Sequence, residues 1–410
     1  MAAEMPLSSR GQVYPFRVMD LMARANALEA AGRSIIHMEV GQPGSGAPAA
    51  ARAALASALG GGGTLGYTES LGLPALRAGI AAMYKARYNV DVPMERVVVT
   101  AGSSAAFILA FTALFDAGDR VALGEPGYPS YRSILKALSL EPVGLPTSAA
   151  ARFQPTPADL AAAPPGVRGL IVASPSTPAG TILSTGELAA LAAAAEAAGV
   201  SLISDEIYHG LEYEGAPRAT CALEVTERCY VVNSFSKFWS MTGYRIGWVI
   251  VPASHVRTVE RLAQNLFICA PHASQVAALA ALGAAGELEA NRRVYAANRQ
   301  LMLERLPRAG FTSFAPPDGA FYVYCDVSAL VGEGGSAALA DELLAEAGVA
   351  ATPGWDFDAV RGGSSLRFSY ARSTADVEEG LRRLEGWWGT RQARLKRGGG
   401  AAAAGSTVFE

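Results

Sequence analysis

The sequence predicts an α/β protein: a mainly parallel sheet flanked by helices forms a large domain, and a smaller α+β domain follows. Three observations predict it. Runs of four to six mostly apolar, β-branched residues recur at 96–100, 120–124, 168–173, 200–204, 230–233 and 246–251. Helical stretches separate most of them, as at 101–115 and 184–198. Strands that read as continuous apolar runs, rather than alternating ones, belong to sheets buried on both faces. After about 253 the pattern changes: a long helical stretch at 257–294 gives way to helices alternating with short strands such as 321–325 and 366–370.

The elements follow in order. Residues 1–12 read as loose, and a helix opens near Pro15 with Val18, Leu21, Met22, Ala25 and Leu28 at helical spacing until Gly32. A short strand at 34–40 ends in the turn Gly41-Gln42-Pro43-Gly44. Helices at 49–59 and 74–88 flank the glycines at 60–63 and a loop that carries Tyr67. Ala101-Gly102-Ser103-Ser104 turns the strand at 96–100 into an apolar helix. Tyr128 and Tyr131 fall in the turn after the strand at 120–124. The organisation expected is an N-terminal arm and part of the small domain at 1–48, a large domain at 49–290, a small domain at 291–390 and a disordered tail at 391–410.

Composition excludes several classes. The chain has 410 residues, half of them hydrophobic, which suits two lobes with a large core. A net charge of −3 points to neither nucleic acid nor an acidic membrane surface. Four cysteines (Cys221, Cys229, Cys269, Cys325) without paired spacing argue against a disulfide framework or structural zinc, and four scattered histidines give no metal cluster. The apolar run at 105–115 is too short to span a bilayer. A cytoplasmic location is expected.

The chemistry concentrates in Val231-Val232-Asn233-Ser234-Phe235-Ser236-Lys237, followed by Gly243-Tyr244-Arg245-Ile246-Gly247. A lysine among Phe235, Phe238 and Trp239 costs free energy unless its charge is paired, shifted or removed chemically. One way to remove it is a Schiff base with an aldehyde cofactor. Arg245 then suits the cofactor's anionic end, because guanidinium matches phosphate bidentately and the flanking glycines let backbone approach. Gly102-Ser103-Ser104 at a helix start is a second anion site, or else an ordinary serine cap. Asp205 ends a strand as Ser204-Asp205-Glu206-Ile207-Tyr208 and either caps a helix or keeps a heterocyclic nitrogen protonated. Ser103, Tyr128, Thr177, Asp205 and Ser234 all fall at strand ends, where open α/β sheets bind ligands.

Together these residues resemble the class I/II aminotransferases of the pyridoxal-phosphate fold type I group, in particular aspartate-aminotransferase-like members, over about 15–384. Ser-x-Ser-Lys with an arginine eight residues on in Gly-x-Arg-x-Gly is a specific pattern, and Asp-Glu-x-Tyr adds to it. The resemblance implies a seven-stranded sheet, the cofactor pyridoxal 5′-phosphate, and amino acid and 2-oxo acid substrates. It implies that Lys237 carries the cofactor and shuttles the proton, that Asp205 pairs with the ring nitrogen and that Tyr208 contacts the ring oxygen. Ser103, Ser104, Ser234 and Arg245 would bind the phosphate, with Gly102 allowing the approach, and Tyr128 would stack on the ring. Tyr67 would reach the cofactor of a neighbouring subunit, implying a homodimer with shared sites. Arg367 and Gly41 would hold the substrate carboxylate.

One departure stands out. The family loop Asn-Pro-x-Asn-Pro-Thr-Gly reads Ser174-Pro175-Ser176-Thr177-Pro178-Ala179-Gly180 here. Thr177 therefore replaces an asparagine that donates to the ring oxygen, a contact in the range of about 1.5–3 kcal/mol for hydrogen bonds to charged groups. Other reactions on the same scaffold remain open: a carbon–sulfur β-lyase, an aminocyclopropane-carboxylate synthase, or a cofactor-binding regulator. The helix after Gly102 carries no cation, and Ser104 stands where some dicarboxylate-specific relatives have lysine. Both lean away from strict aspartate preference.

Overall fold

A computed structural model describes the backbone of residues 5–403 and the side chains as far as Lys396. It divides into two compact units. The first comprises 1–16, 42–293 and 317–321; the second comprises 17–41, 294–316 and 322–410.

The first unit is built on a seven-stranded sheet. Its strands are β1 (Val97–Thr100), β2 (Arg120–Glu125), β3 (Glu141–Pro146), β4 (Val167–Ala173), β5 (Ser201–Asp205), β6 (Cys229–Ser234) and β7 (Gly247–Ile250). Across the sheet they run β1-β7-β6-β5-β4-β2-β3. Neighbours from β6 to β3 are parallel, and β7 is antiparallel to both β1 and β6. Two antiparallel steps restore direction, so β1 runs the same way as β6.

Period-two alternation divides each strand between two cores. Val97, Val99, Leu170, Val172, Leu202, Val231, Trp248 and Ile250 enter one. Val98, Ile171, Ile203, Tyr230, Val232 and Val249 enter the other. This is why the strands read as unbroken apolar runs, and each fully buried aliphatic side chain contributes about 1.5–3 kcal/mol. Hydroxyl caps start the helix Thr185–Ala197, where Ser184 and Glu187 form a capping box.

The second unit holds a four-stranded antiparallel sheet in the order Thr352–Pro353, Ser365–Ser369, Tyr322–Asp326, Ser313–Phe314, and a parallel pair Ile36–His37 with Val349–Ala350. Its helix Arg17–Ala30 starts without a local hydroxyl cap. Asp356 supplies the cap from elsewhere in the unit, accepting from the N–H groups of Arg17 (3.1 Å) and Val18 (2.9 Å).

Several expectations are corrected. The turn after β2 is short, and Tyr131 lies on a helix, Pro129–Ala137. β3 went unread because Pro142, Gly144 and Pro146 are poor strand residues, tolerated at a sheet edge. The stretch 257–294 is not one helix but Val256–Leu266, His272–Ala281 and the start of Ala285–Arg305, broken by Pro271 and Gly283. Only Ile36–His37 of 34–40 forms a strand. The last helix, Thr374–Ala403, takes in 391–403 of the tail expected to be disordered, and 404–410 lie outside the described residues.

Candidate active site

The carboxyl ends of β1, β2, β4, β5 and β6 share one edge of the sheet, and each delivers a residue singled out in the sequence. Register sets their spacing. Thr100 and Ser234 both pair with Gly247, and Asp205 pairs with Ala173 and Val232.

An anion cradle forms where β1, β6 and β7 meet. The helix Gly102–Leu114 starts with no side-chain cap bond, so its first N–H groups remain for a ligand. Gly102 has φ +77°, and a Cβ there would overlap the Arg245 guanidinium, with Cζ only 2.9 Å away. Arg245 itself sits at φ +49°, and its Nη1 donates to the Thr242 carbonyl at 3.1 Å. A Cβ on Gly247 would come within 2.8 Å of the Asn233 carbonyl and 3.1 Å of Ser103 N, so the close approach needs that glycine. Gly243 has open space, and of the two flanking glycines only Gly247 has the expected role. Ser103 is half-buried and Ser104 exposed at the helix start.

Ser234 is fully buried and donates inward, to the Ile246 carbonyl (3.1 Å) or to Ser236 Oγ (2.8 Å). Ser236 Oγ lies 3.5 Å from Arg245 Nη1. Ser236 therefore belongs to the cradle, a role not expected of it. The Ser-x-Ser spacing after a strand was its signal.

Lys237 is half-buried in the tight turn after β6, its carbonyl accepting from Ser240 N at 3.1 Å. Its Nζ lies 5.8 Å from the ring centre of Tyr208, which is buried. The lysine is thus not the surface lysine of the ordinary alternative.

Asp205 caps no helix. Its Oδ1 accepts from Ile207 N at 3.1 Å, and its Oδ2 accepts from the Tyr131 hydroxyl. Burial raises its carboxyl to about 6, while the Tyr131 and Ile207 bonds and the Lys237 charge pull the other way. Burial also pushes the Tyr131 phenol well above its ordinary value, so it remains a donor. Tyr131 was passed over as a turn residue. Its place one helical turn after Tyr128 was the available signal.

Tyr128 is half-buried at the start of the Pro129–Ala137 helix, 5.3 Å from Tyr131 and 6.5 Å from Phe16 between ring centres, both edge-on. The loop 174–181 is bonded to itself: Ser176 N donates to the Thr181 carbonyl (2.9 Å) and Gly180 N to the Ser176 carbonyl (2.9 Å). Thr177 Oγ1 is left over, buried and without a hydrogen-bond partner among the described residues. Such an atom calls for a ligand or water.

Arg367 and Gly41 lie in the second unit. Arg367 is 5 % exposed, donates from Nη2 to the Glu39 carbonyl at 2.6 Å, and has no partner at Nε among the described residues. A Cβ on Gly41 would overlap the Tyr322 hydroxyl. Tyr67 is not gathered with the other residues; it is 82 % exposed.

In the first unit, then, an anion cradle, a half-buried amine and a buried carboxylate meet at one sheet edge. Comparison with known proteins agrees in kind. A family model described as aminotransferase class I and II matches residues 33–384. A valine–pyruvate aminotransferase of Mycobacterium tuberculosis is 48 % identical over 92 % of this chain and 97 % of its own length. A (5-formylfuran-3-yl)methyl phosphate transaminase of Methanocaldococcus jannaschii is 34 % identical over 90 % of this chain and 96 % of its own. Among solved structures, an aminotransferase from Mycobacterium tuberculosis superposes with a TM-score of 0.92 at 47 % identity, covering 94 % of this chain and all of that one. The aspartate aminotransferase of Thermus thermophilus with maleate gives 0.87 at 31 % identity, with the same coverage. The chain is a class I/II aminotransferase.

Proposed function

We propose that this aminotransferase holds pyridoxal 5′-phosphate on Lys237 and moves amino groups from neutral L-amino acids to 2-oxo acids. The observation that carries the reading is the convergence of the Gly102–Arg245 cradle, Lys237 and Asp205 on one sheet edge. The family is pyridoxal-phosphate-dependent, and the residues present fit that group. The cradle suits a phosphate, the orphaned Thr177 hydroxyl suits a ring oxygen, and the buried Asp205 suits a ring nitrogen.

When bound, the cofactor supplies an aldehyde for capturing amines and a ring that accepts electrons from Cα. The chain's residues do the rest. Arg245, Ser236 and the N–H groups at Ser103 and Ser104 would bind the phosphate, with the buried Ser234 hydroxyl holding Ser236 Oγ at 2.8 Å. Asp205, anionic above about pH 6, holds a proton at the ring nitrogen. Tyr208 and Thr177 orient the ring oxygen, and Tyr128 packs on the ring. Lys237 Nζ would remove the proton from substrate Cα as general base and, as general acid, deliver it to the former aldehyde carbon rather than back to Cα. Arg367 binds the α-carboxylate beside Gly41. Lys237→Ala is expected to abolish turnover and the visible absorption band of the bound cofactor; substantial remaining turnover would overturn the reading.

The preference for neutral donors is supported by the cation-free helix Gly102–Leu114 and by the relative named for valine and pyruvate. A panel of amino donors, followed by loss of the visible band, tests it. Aspartate or glutamate reacting fastest would refute it. The protein acts as a homodimer in which Tyr67, exposed on one chain, serves the partner's site. Sedimentation should give twice the chain mass, and a single-chain mass at micromolar concentration would exclude it. We place it in the cytoplasm, in keeping with four unpaired cysteines and with no described helix long and apolar enough to cross a membrane. Recovery in a membrane or secreted fraction would contradict that placement.

A further inference from the structure

We propose that Tyr322 and Phe357 are positioning residues for Arg367 and make its anion site select a planar carboxylate over a tetrahedral anion. The inference rests on the reading of Arg367 as the holder of the substrate carboxylate.

Arg367 is a buried cation with an unusual set of partners. Among the described residues no carboxylate is seen in a direct ion pair with it, although a buried charge ordinarily requires one. Asp356 acts on it electrostatically at longer range, and its close neighbours are aromatic. Cζ stands 4.3 Å from the ring centre of Tyr322 and 4.6 Å from that of Phe357. Both rings are themselves buried, at 1 % exposure. Register explains the first contact: Tyr324 pairs directly with Arg367, so Tyr322, two residues along the same strand, lies on the same face. The second is buttressed, because Phe357 packs edge-on against Tyr324 with ring centres 6.0 Å apart.

The remaining valences lie in the guanidinium plane. Nη2 is taken by the Glu39 carbonyl at 2.6 Å, and Nε is buried without a partner among the described residues. Two ring centres stand within 4.6 Å of Cζ; guanidinium stacks its face on such rings, which leaves its N–H edge for the ligand. A carboxylate is planar and meets that edge with its oxygens in the same plane. A phosphonate carries a third oxygen out of that plane, where the rings stand.

The test compares an L-amino acid with the aminophosphonate of identical side chain on the cofactor-loaded enzyme. Apparent dissociation constants are read from the change in the visible band, and KM and kcat from turnover. Phe357→Leu is expected to weaken amino acid binding and raise its KM about tenfold, the scale of one desolvated cation–π contact. The carboxylate-over-phosphonate ratio should narrow by a similar factor, and Phe357→Tyr should restore it. Tyr322→Leu is the second variant, with Tyr322→Phe as its restoring partner, so a folding failure at one position leaves the other. Equal weakening of both anions, or an unchanged ratio in a folded variant, would overturn the proposal. Arg367→Lys separates the two readings. If it leaves the amino acid KM unchanged, the carboxylate reading of Arg367 falls. If it raises KM while Phe357→Leu and Tyr322→Leu do not, only the positioning role falls.

Discussion

Two donors hold the Asp205 carboxylate, one local and one from another element. Ile207 N is a local partner of the sort a strand-ending aspartate finds by itself. Tyr131 comes from another element and bonds the second oxygen. Removing it takes away a bond that favours the anion, so Tyr131→Phe should raise the Asp205 carboxyl beyond about 6. Cofactor affinity, measured against pH on the cofactor-free protein, should then fall off at a higher pH than in the wild type; superimposable profiles would count against it. Thr177 makes the converse case. Its hydroxyl has no partner among the described residues, so it is available to a ligand. Thr177→Asn should shift the pH titration of the bound cofactor's visible band, and identical curves would show that Tyr208 suffices. At this scale the sequence revealed Lys237, Asp205 and Arg245, which gather at one sheet edge, because Ser-x-Ser-Lys and Asp-Glu-x-Tyr are local patterns. It concealed Tyr131, Ser236, Tyr322 and Phe357, whose roles depend on partners in other elements or across a turn.

At the scale of elements, the cradle depends on one helix start meeting one turn. Gly102 is needed twice, for its φ of +77° and for the space the Arg245 guanidinium fills. Gly102→Ala should weaken pyridoxal phosphate binding by tenfold or more and affect pyridoxal, which lacks the phosphate, much less. Equal losses for the two would mean that the substitution disturbs the fold rather than the cradle. Strands β1, β2 and β4 to β7 were legible because both faces are buried and the apolar runs are continuous. β3 was not, because an edge strand can carry proline and glycine and still pair on one side. The helix Pro129–Ala137 was hidden by its brevity and by Pro129, which reads as a turn residue but sits at the first helical position.

For the whole molecule, the buried groups beneath the site make stability depend on pH. Burial raises Glu206 to about 8 and lowers His209 to about 3. Glu206 therefore favours the folded state fully below its ordinary value near 4.5, and that contribution is lost as pH rises through 8. His209 works in the opposite sense: its contribution is present above 6.5 and lost as pH falls toward 3. The neutral ring is fixed in one tautomer, Nε2 donating to the Ser174 carbonyl (2.9 Å) and Nδ1 accepting from Tyr88 (2.7 Å). Glu206→Gln should flatten the decline in the urea midpoint of the cofactor-free protein between pH 5 and 8, by a few kcal/mol at most; an unchanged slope would mean that Glu206 does not titrate there. The segment 317–321 has a different consequence. It belongs to the first unit although the chain on either side belongs to the second. Asp318 accepts from Ile182 N (3.0 Å) and Arg152 (2.6 Å), while the N–H groups of Asp318 and Gly319 both reach the Gly180 carbonyl at 2.9 Å. The loop that carries Thr177 is therefore completed by residues made more than a hundred positions later. Every strand of the large sheet is encoded by residue 250, yet the loop at its carboxyl edge finds its last partners only in 317–321, so during synthesis the sheet's own sequence is complete well before that edge is.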